Sequence, residues 1–453
     1  MRFKGTSILF VLFVVLGAWV YFTEYRGREE RQQQEEAKKK AIQVEQKDIT
    51  EISLVYPDRT ITGIKKGEKE WQITSPSGLE ADPDEWDQLA SNITRIEREE
   101  TVAENAQDLA PFGLNNPVVK VNARLADGKT IEVLIGGENP KKTSNYAKLG
   151  DANEVFLTAS SWKTTFTKTV SDLRNKKVLE FETDDIDLVK IAEAGKEIEL
   201  QKSGENWQLK KPVDTKADNT EASSFISSIR FARASSFPEP PVDAKTAGLE
   251  PPAIRITLHD GKAKSERILL IGKPAETGKY YARDASRDTI FIIEKEMPDK
   301  ARRPVFDWRD KSITQIERDK IDDIEIVRGS EKSSFKKVDA DWKLQDGRKL
   351  QWEKISAMLN TLEFEKAQDI IDAPKAVSTY GLDKPRIEVI FRQGANELRR
   401  IAFGSDSKTP EGVYAKTSDS AAVKVAPKSI FDNFSVKAED LVETPPPPEP
   451  EKK

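Results

Sequence analysis

The sequence predicts an α+β protein in which an N-terminal transmembrane helix is followed by three tandem, mainly antiparallel sheet-plus-helix repeats of about 135 residues. Three observations predict it. An uncharged run of 19 residues lies close to the start, four sequence landmarks recur three times in one order, and each copy contains both period-two and period-3.6 apolar patterns.

Length and composition bound the rest. At roughly 150 residues per domain, a chain of 453 residues holds about three. Lys plus Arg number 73 and Asp plus Glu 78, a net charge of −5, so the basic excess of a general nucleic-acid binder is missing. Hydrophobic content is only 37%, yet 19 Phe and 8 Trp suffice to build cores. With no Cys, disulfides, thiol nucleophiles and thiolate metal sites are excluded, and a single His leaves no His-rich zinc site. Nothing that remains names a reaction.

Gly5 to Thr23 carries no charge and includes the apolar run Ile8 to Leu16, preceded by Arg2 and Lys4. As a helix rising about 1.5 Å per residue it reaches about 28 Å, close to the hydrocarbon thickness of a bilayer. Trp19, Tyr21 and Tyr25 stand at its far end, where aromatic rings favour the interface. Gly17 to Phe22 offers no pair of small residues for signal-peptide cleavage, so the segment reads as an uncleaved signal anchor. Arg26, Arg28 and Arg31 after the span oppose an exported body under the positive-inside rule. The very short N-terminal region and the absence of Cys favour export, and the expectation is a single-pass inner (cytoplasmic) membrane protein with its body in the periplasm or otherwise outside the cytoplasm. Residues 25–47, rich in Glu, Arg, Gln and Lys, read as a charged stalk.

The repeats follow. Gly-Leu-x-x-Pro occurs as Gly113 to Pro117, Gly248 to Pro252 and Gly381 to Pro385. About 40 residues earlier in each copy a Trp opens an alternating strand, at Trp71, Trp207 and Trp342. A hydrophobic residue plus Gly follows at Ile135-Gly136, Ile271-Gly272 and Phe403-Gly404, and then Tyr-Ala-basic at Tyr146 to Lys148, Tyr281 to Arg283 and Tyr414 to Lys416.

Within a copy, strands such as Ile49 to Val55 and Thr60 to Ile64 precede the Trp strand and form a meander. A helix comes next, its stripe being Trp86, Leu89, Ile93 and Ile96 in the first copy, Ala222, Phe225, Ile229 and Ala232 in the second, and Trp352, Ile355, Leu359 and Leu362 in the third. Asp82 or Asp84 suits the first helix as its N-cap. After the Gly-Leu element Val119, Val121 and Ala123 face one side, Asp127-Gly128 turns the chain, and Ile131 to Ile135 returns. Two more strands and a short helix complete the unit. The boundaries expected are residues 1–24 for the anchor, 25–47 for the stalk, 48–172, 185–306 and 322–434 for the repeats, 173–184 and 307–321 for the joints, and 435–453 for a Pro-rich tail. Arg174 and Arg309 fall at equivalent places in the two joints and are expected to pair with a carboxylate or with backbone carbonyls, or else to lie on a solvated hinge.

This set of landmarks behind an N-terminal anchor resembles the bacterial family known as domain of unknown function 4340, over most of Asp48 to Phe434. The resemblance implies an accessory role beside an ABC-type export system related to gliding machinery, and it supplies no activity and no catalytic residues.

Candidate chemistry is sparse. His259 occupies the outward strand position held by Arg124 and Arg392 in the other copies, which makes it a surface replacement. The acidic groups Asp82, Asp84, Asp87 and Asp184, Asp185, Asp187 lack calcium-loop register and read as caps and solvated ends. Gly136 to Lys142 lacks the Gly-Lys-Ser/Thr ending of a phosphate loop. The Tyr-Ala-basic triplets read chiefly as packing, with a row binding glycan or lipid headgroups as the other reading. No catalytic, cofactor or metal-ligating residue is therefore assigned, and no enzyme activity or cofactor is expected. Two functions remain. One is a membrane-anchored extracytoplasmic scaffold or accessory protein beside an ABC-type transporter or envelope complex, held in the bilayer through residues 5–23. The other is a cell-envelope module that binds glycan or lipid. Neither involves nucleic acid.

Overall fold

The computed structural model describes residues 13–17, 19, 21 and 39–444. The expected span at residues 5–23 and the stalk up to residue 38 therefore fall largely outside the described residues. Among the described residues no helix is long and apolar enough to cross a membrane.

The first repeat contains β1 (Ile49–Val55), β2 (Thr60–Gly67), β3 (Glu70–Ser75), β4 (Leu79–Glu80), α1 (Pro83–Ile93), β5 (Glu100–Ala103), β6 (Val119–Leu125), β7 (Thr130–Glu138), β8 (Ser144–Leu149), β9 (Val155–Ala159), α2 (Ser161–Phe166) and α3 (Val170–Leu173). The second contains β10 (Ile186–Glu193), β11 (Lys196–Ser203), β12 (Asn206–Lys211), β13 (Thr215–Lys216), α4 (Asn219–Arg230), β14 (Ile254–Asp260), β15 (Ser265–Glu276), β16 (Lys279–Asp284), β17 (Ile290–Glu294) and α5 (Glu296–Ala301). The third contains β18 (Asp323–Arg328), β19 (Glu331–Val338), β20 (Asp341–Leu344), α6 (Trp352–Phe364), β21 (Asp369–Ile371), β22 (Ile387–Gln393), β23 (Asn396–Lys408), β24 (Glu411–Thr417), β25 (Val423–Ala426) and α7 (Lys428–Ser435).

Each repeat is one antiparallel sheet made of two meanders joined side by side. The first sheet runs β4-β3-β2-β1-β6-β7-β8-β9-β5, the second β13-β12-β11-β10-β14-β15-β16-β17 and the third β20-β19-β18-β22-β23-β24-β25-β21. The opening strand of each repeat lies centrally because it pairs with both its hairpin partner and the strand after the Gly-Leu element, as Ile52 does with Gly63 and Ala123. Three sheets with one substantial helix apiece make the body mainly β. That corrects the α+β expectation, since the other helices are short pieces at the strand ends.

Local chemistry explains the helix starts. Asp82 caps α1 by accepting from the Asp84 N–H, Pro83 supplies a fitting φ at the first position, and Asp218 caps α4 by accepting from two N–H groups. The expected stripes hold at Trp86, Leu89, Ile93, Ala222, Phe225, Ile229, Ile355, Leu359 and Leu362, all buried. They fail at their ends. Ile96 and Ala232 lie beyond the helices, and Trp352, at the first position of α6, is 53% exposed. Trp71, Trp207 and Trp342 are buried, as strand residues covered by a helix should be.

The Gly-Leu and hydrophobic-Gly landmarks are two halves of one contact. Gly113, Gly248 and Gly381 have φ of 66°, 69° and 65°, a left-handed turn that a side chain strains. Each is closed by the same hydrogen bond from the following Leu, namely Leu114 N–H to Leu109 O, Leu249 N–H to Ala244 O and Leu382 N–H to Val377 O. The turn then presses its backbone onto the partner glycine. A Cβ on Gly136, Gly272 or Gly404 would meet the carbonyl oxygen of Phe112, Ala247 or Tyr380 at 2.4, 2.1 or 2.0 Å.

Several boundaries differ from the sequence reading. Ala41, Ile42 and Val44 pack on the first core, so residues 39–47 belong to the folded repeat and not to a stalk. Residues 435–444 also fold back, with Leu441 buried and Val442 bridged to Leu350, so the tail begins later than residue 435. By packing, the chain divides into two compact units where sequence expects three domains. One unit is Met1–Lys177 with Arg233–Phe237, and the other is Val178–Ala232 with Pro238–Lys453.

The glycine contact predicts a contrast between neighbours. Gly136→Ala drives a methyl into the Phe112 carbonyl and should destabilise the full chain by more than about 2 kcal/mol. Gly137→Ala meets that carbonyl at an ordinary 3.5 Å, and Lys273 and Ser405 occupy the equivalent place. It should change stability by less than about 0.5 kcal/mol in urea denaturation.

Candidate functional site

The candidates read from sequence resolve first. His259 on β14 is half-buried, and its Nδ1 lies 2.6 Å from Asp187 Oδ1. In the third repeat Arg392 holds the same position and pairs with Glu325 across the sheet. The imidazole thus occupies an ion-pairing position on the outer face. Among the acidic groups, Asp82 caps α1, Asp87 accepts from Trp71 Nε1 at 2.8 Å, and Asp185 pairs with Lys262 at 3.6 Å. The Gly136 to Lys142 stretch is the end of β7 and its turn, where Asn139 Oδ1 accepts from the N–H groups of Thr143 and Ser144.

The Tyr-Ala-basic triplets serve the glycine turn. Tyr146 meets Phe112 edge-on at 5.1 Å and Tyr414 meets Tyr380 at 4.9 Å, while Tyr281 packs beside Ala247 and Leu249. Their basic partners are engaged as well. Arg283 lies 3.5 Å from Glu250, and Lys416 Nζ donates to the Ala421 carbonyl at 2.9 Å.

The chemistry that sequence pointed to least clearly is at the joints, where one main-chain pattern recurs three times. Asp82 N–H bonds Leu173 O and Asn175 N–H bonds Glu80 O. The second repeat has Asp218 N–H to Trp308 O and Asp310 N–H to Lys216 O, and the third has Gln351 N–H to Leu441 O and Glu443 N–H to Lys349 O. The chain closing a repeat thus forms a short bridge with the residues just before that repeat's long helix. It then bridges onward. Ala234 N–H bonds Lys176 O, and Ala367 N–H bonds Lys311 O. Lys39 O accepts from Arg98 N–H in the same way ahead of the first repeat.

The joint arginines sit inside these bridges. Arg309 is 6% exposed and holds the Asp372 carboxylate with both terminal nitrogens, each at 2.7 Å. Arg174 makes the equivalent contact with Phe237, its guanidinium 3.5 Å from the ring centre. One geometry is thus served by an ion pair in one joint and by a cation over an aromatic face in the other. At the third place stands Val442.

Around Arg309 a polar cluster ties the second repeat to the third. Burial raises the pKa of Asp310, but the Ser312 hydroxyl and N–H outweigh it and hold the carboxyl below its usual range. Lys424 donates to the carbonyls of Ser312 and Ile313 at 2.7 and 2.8 Å, and burial lowers its pKa against the pull of Asp419 and Asp310. Beside the cluster is a polar cleft of about 380 Å³, lined by Asn206, Lys216, Asp218, Asp310, Gln315 and Lys366. Lys216 already donates to Gln315 across it at 2.7 Å.

Two outcomes follow. Arg309→Ala leaves the Asp372 carboxylate without its fork and should lower stability by about 1–3 kcal/mol, whereas Arg174→Ala should lower it by about 0.5–1 kcal/mol; both are read from urea midpoints of the full chain. His259→Arg restores the residue found in the other repeats and keeps Asp187 as partner. It should change stability by less than about 0.5 kcal/mol and complement a deletion strain. Lost complementation at unchanged stability would make the imidazole a chemical group and overturn that assignment.

No curated protein and no solved structure matches the chain. A family model matches it three times, over residues 71–252, 207–385 and 342–446. The first two matches run from the Trp of one repeat to the motif Pro of the next, so the family's unit is longer than one repeat and takes in the joint. On that coverage the chain belongs to the family described as domain of unknown function (DUF4340).

Proposed function

We propose that this protein is a membrane-anchored, extracytoplasmic scaffold acting as an accessory subunit beside an ABC-type transporter or a comparable envelope complex. The observation that carries the scaffold reading is the joint between the second and third repeats, where main-chain bridges and the fork from buried Arg309 to Asp372 connect the two. Such a connection ties the second repeat to the third, as a presenting surface requires and as a solvated hinge does not. The repeat landmarks support the same reading, because their residues are spent on turns and packing. The anchor rests on the apolar run at residues 5–23, and the transporter as partner on the resemblance alone.

The test is crosslinking in intact membranes followed by identification of the captured proteins. Recovery of transporter subunits with the full chain, reduced in Arg309→Ala, is the expected result. Recovery of no membrane protein removes the accessory role. Protease added to spheroplasts should digest the body and leave a membrane-held stub, and a body protected until lysis reverses the orientation.

A second reading, a module that binds an envelope lipid or glycan, is favoured by one specific feature, a partly apolar cavity confined to the second repeat.

A further inference from the structure

Register makes the three repeats comparable residue by residue. Leu54, Ile191 and Ile326 are equivalent, since they pair with Val121, Ile256 and Val389 on equivalent strands. Two residues on, facing the same way, stand Tyr56, Glu193 and Arg328. The short closing helices α2, α5 and α7 place Phe166, Ala301 and Phe434 in register.

In the outer repeats these two positions form a plug. Phe166 and Phe434 are fully buried. Tyr56 OH donates to Phe166 O at 2.7 Å and accepts from Lys168 N–H at 2.9 Å. Arg328 donates to the carbonyls of Phe434 and Val436 at 2.8 and 2.6 Å. In each case a donor from the strand seals the end of the helix over a phenyl ring.

The second repeat lacks both parts. Ala301 replaces the phenyl ring, and Glu193, a carboxylate with no proton to donate to a carbonyl, turns instead to Arg302 Nε at 2.7 Å. A cavity of about 500 Å³ opens at that place, walled by Ile191, Ile198, Pro212, Ala301 and Val305. This volume is in the range of small-ligand sites, and its wall is mostly apolar.

The rim decides the head group. Glu193 is taken by Arg302, Glu197 by Lys211, and Arg303 by Glu221. Lys196, also on the rim, makes no ion pair among the described residues. One uncommitted cation therefore stands at the mouth of an apolar hole.

We propose that this cavity is a binding site for a single-chain amphiphile, with its apolar tail against Ile191, Ile198 and Ala301 and its anionic head at Lys196. The site is a property of the second repeat and stands apart from the joints, so it does not depend on the scaffold reading.

The test uses membranes holding the full chain and dodecanoic acid carrying a diazirine, with adducts mapped by peptide mass spectrometry. Adducts should fall in residues 191–198 and 301–305. Ala301→Phe restores the residue of the other repeats, fills the hole, and should cut labelling about tenfold, as loss of the site requires. Lys196→Glu, which changes an exposed side chain at the start of β11, should cut it comparably, and the diazirine dodecanol should label more weakly than the acid. Adducts scattered over the chain, or labelling unchanged in a protease-resistant Ala301→Phe variant, overturn the proposal. Should Ala301→Phe misfold, undiminished labelling of Lys196→Glu overturns the anionic head and with it the assigned ligand. Crosslinking to membrane proteins is read separately, so failure here leaves the scaffold reading standing.

Discussion

Everything in a repeat hangs from one backbone contact. The left-handed turn at Gly113, Gly248 or Gly381 sits directly on the strand glycine Gly136, Gly272 or Gly404, close enough that neither tolerates a Cβ. The contact aligns the loop that follows the long helix with the second meander and so sets the register of four strands at once. The aromatic side chains cooperate. Phe112 and Tyr380 stand just before the turn glycine and meet Tyr146 and Tyr414, so the triplets brace the turn, in line with their reading as packing residues. Steric exclusion, rather than an attractive group, explains why the sequence spends glycines there.

The joints are built by the same economy of main-chain bonds. The residues before each long helix must be bridged, and the chain that leaves the repeat supplies the bridge. Arg174 and Arg309 then reach forward to Phe237 and Asp372, each a few residues past the onward bridge at Ala234 or Ala367. The chemistry differs because an aromatic face and a carboxylate both satisfy a guanidinium.

Much of this was legible in the sequence, for physical reasons that also mark its limits. Trp71, Trp207 and Trp342 and the spaced glycines gave the repeat, because bulky buried residues and steric glycines cannot drift without loss of the fold. Helix stripes were readable in their middle and failed at Trp352, Ala232 and Ile96, where a helix end stops obeying a 3.6-residue period. The balance of α and β was misjudged because one helix of 11 to 13 residues per repeat looks weighty in sequence, while eight or nine short strands carry most of the core. The edges of the repeats were missed. Charged residues around Ile42 and Leu441 hide two segments held by a few buried apolar side chains and by main-chain bonds, which leave little trace in composition. Sequence placed His259 on an outer strand face, but its partner Asp187 lies across a strand pair and needed the register.

Tandem copies also supply an internal control that a single domain lacks. Where all three repeats agree, a residue answers to the shared fold, as at the glycine turns. Where only one departs while its neighbours keep the pattern, the fold has a filled alternative that this copy does without. Ala301 with Glu193 is such a departure, and it is coordinated. Removing the ring alone leaves a void under an intact seal, and removing the donor alone opens the helix end over a ring that still fills the space. Both are absent together, and the opening is lined by aliphatic side chains and rimmed by Lys196. The paired loss in the second repeat is thus where this copy departs from the packing that the other two share.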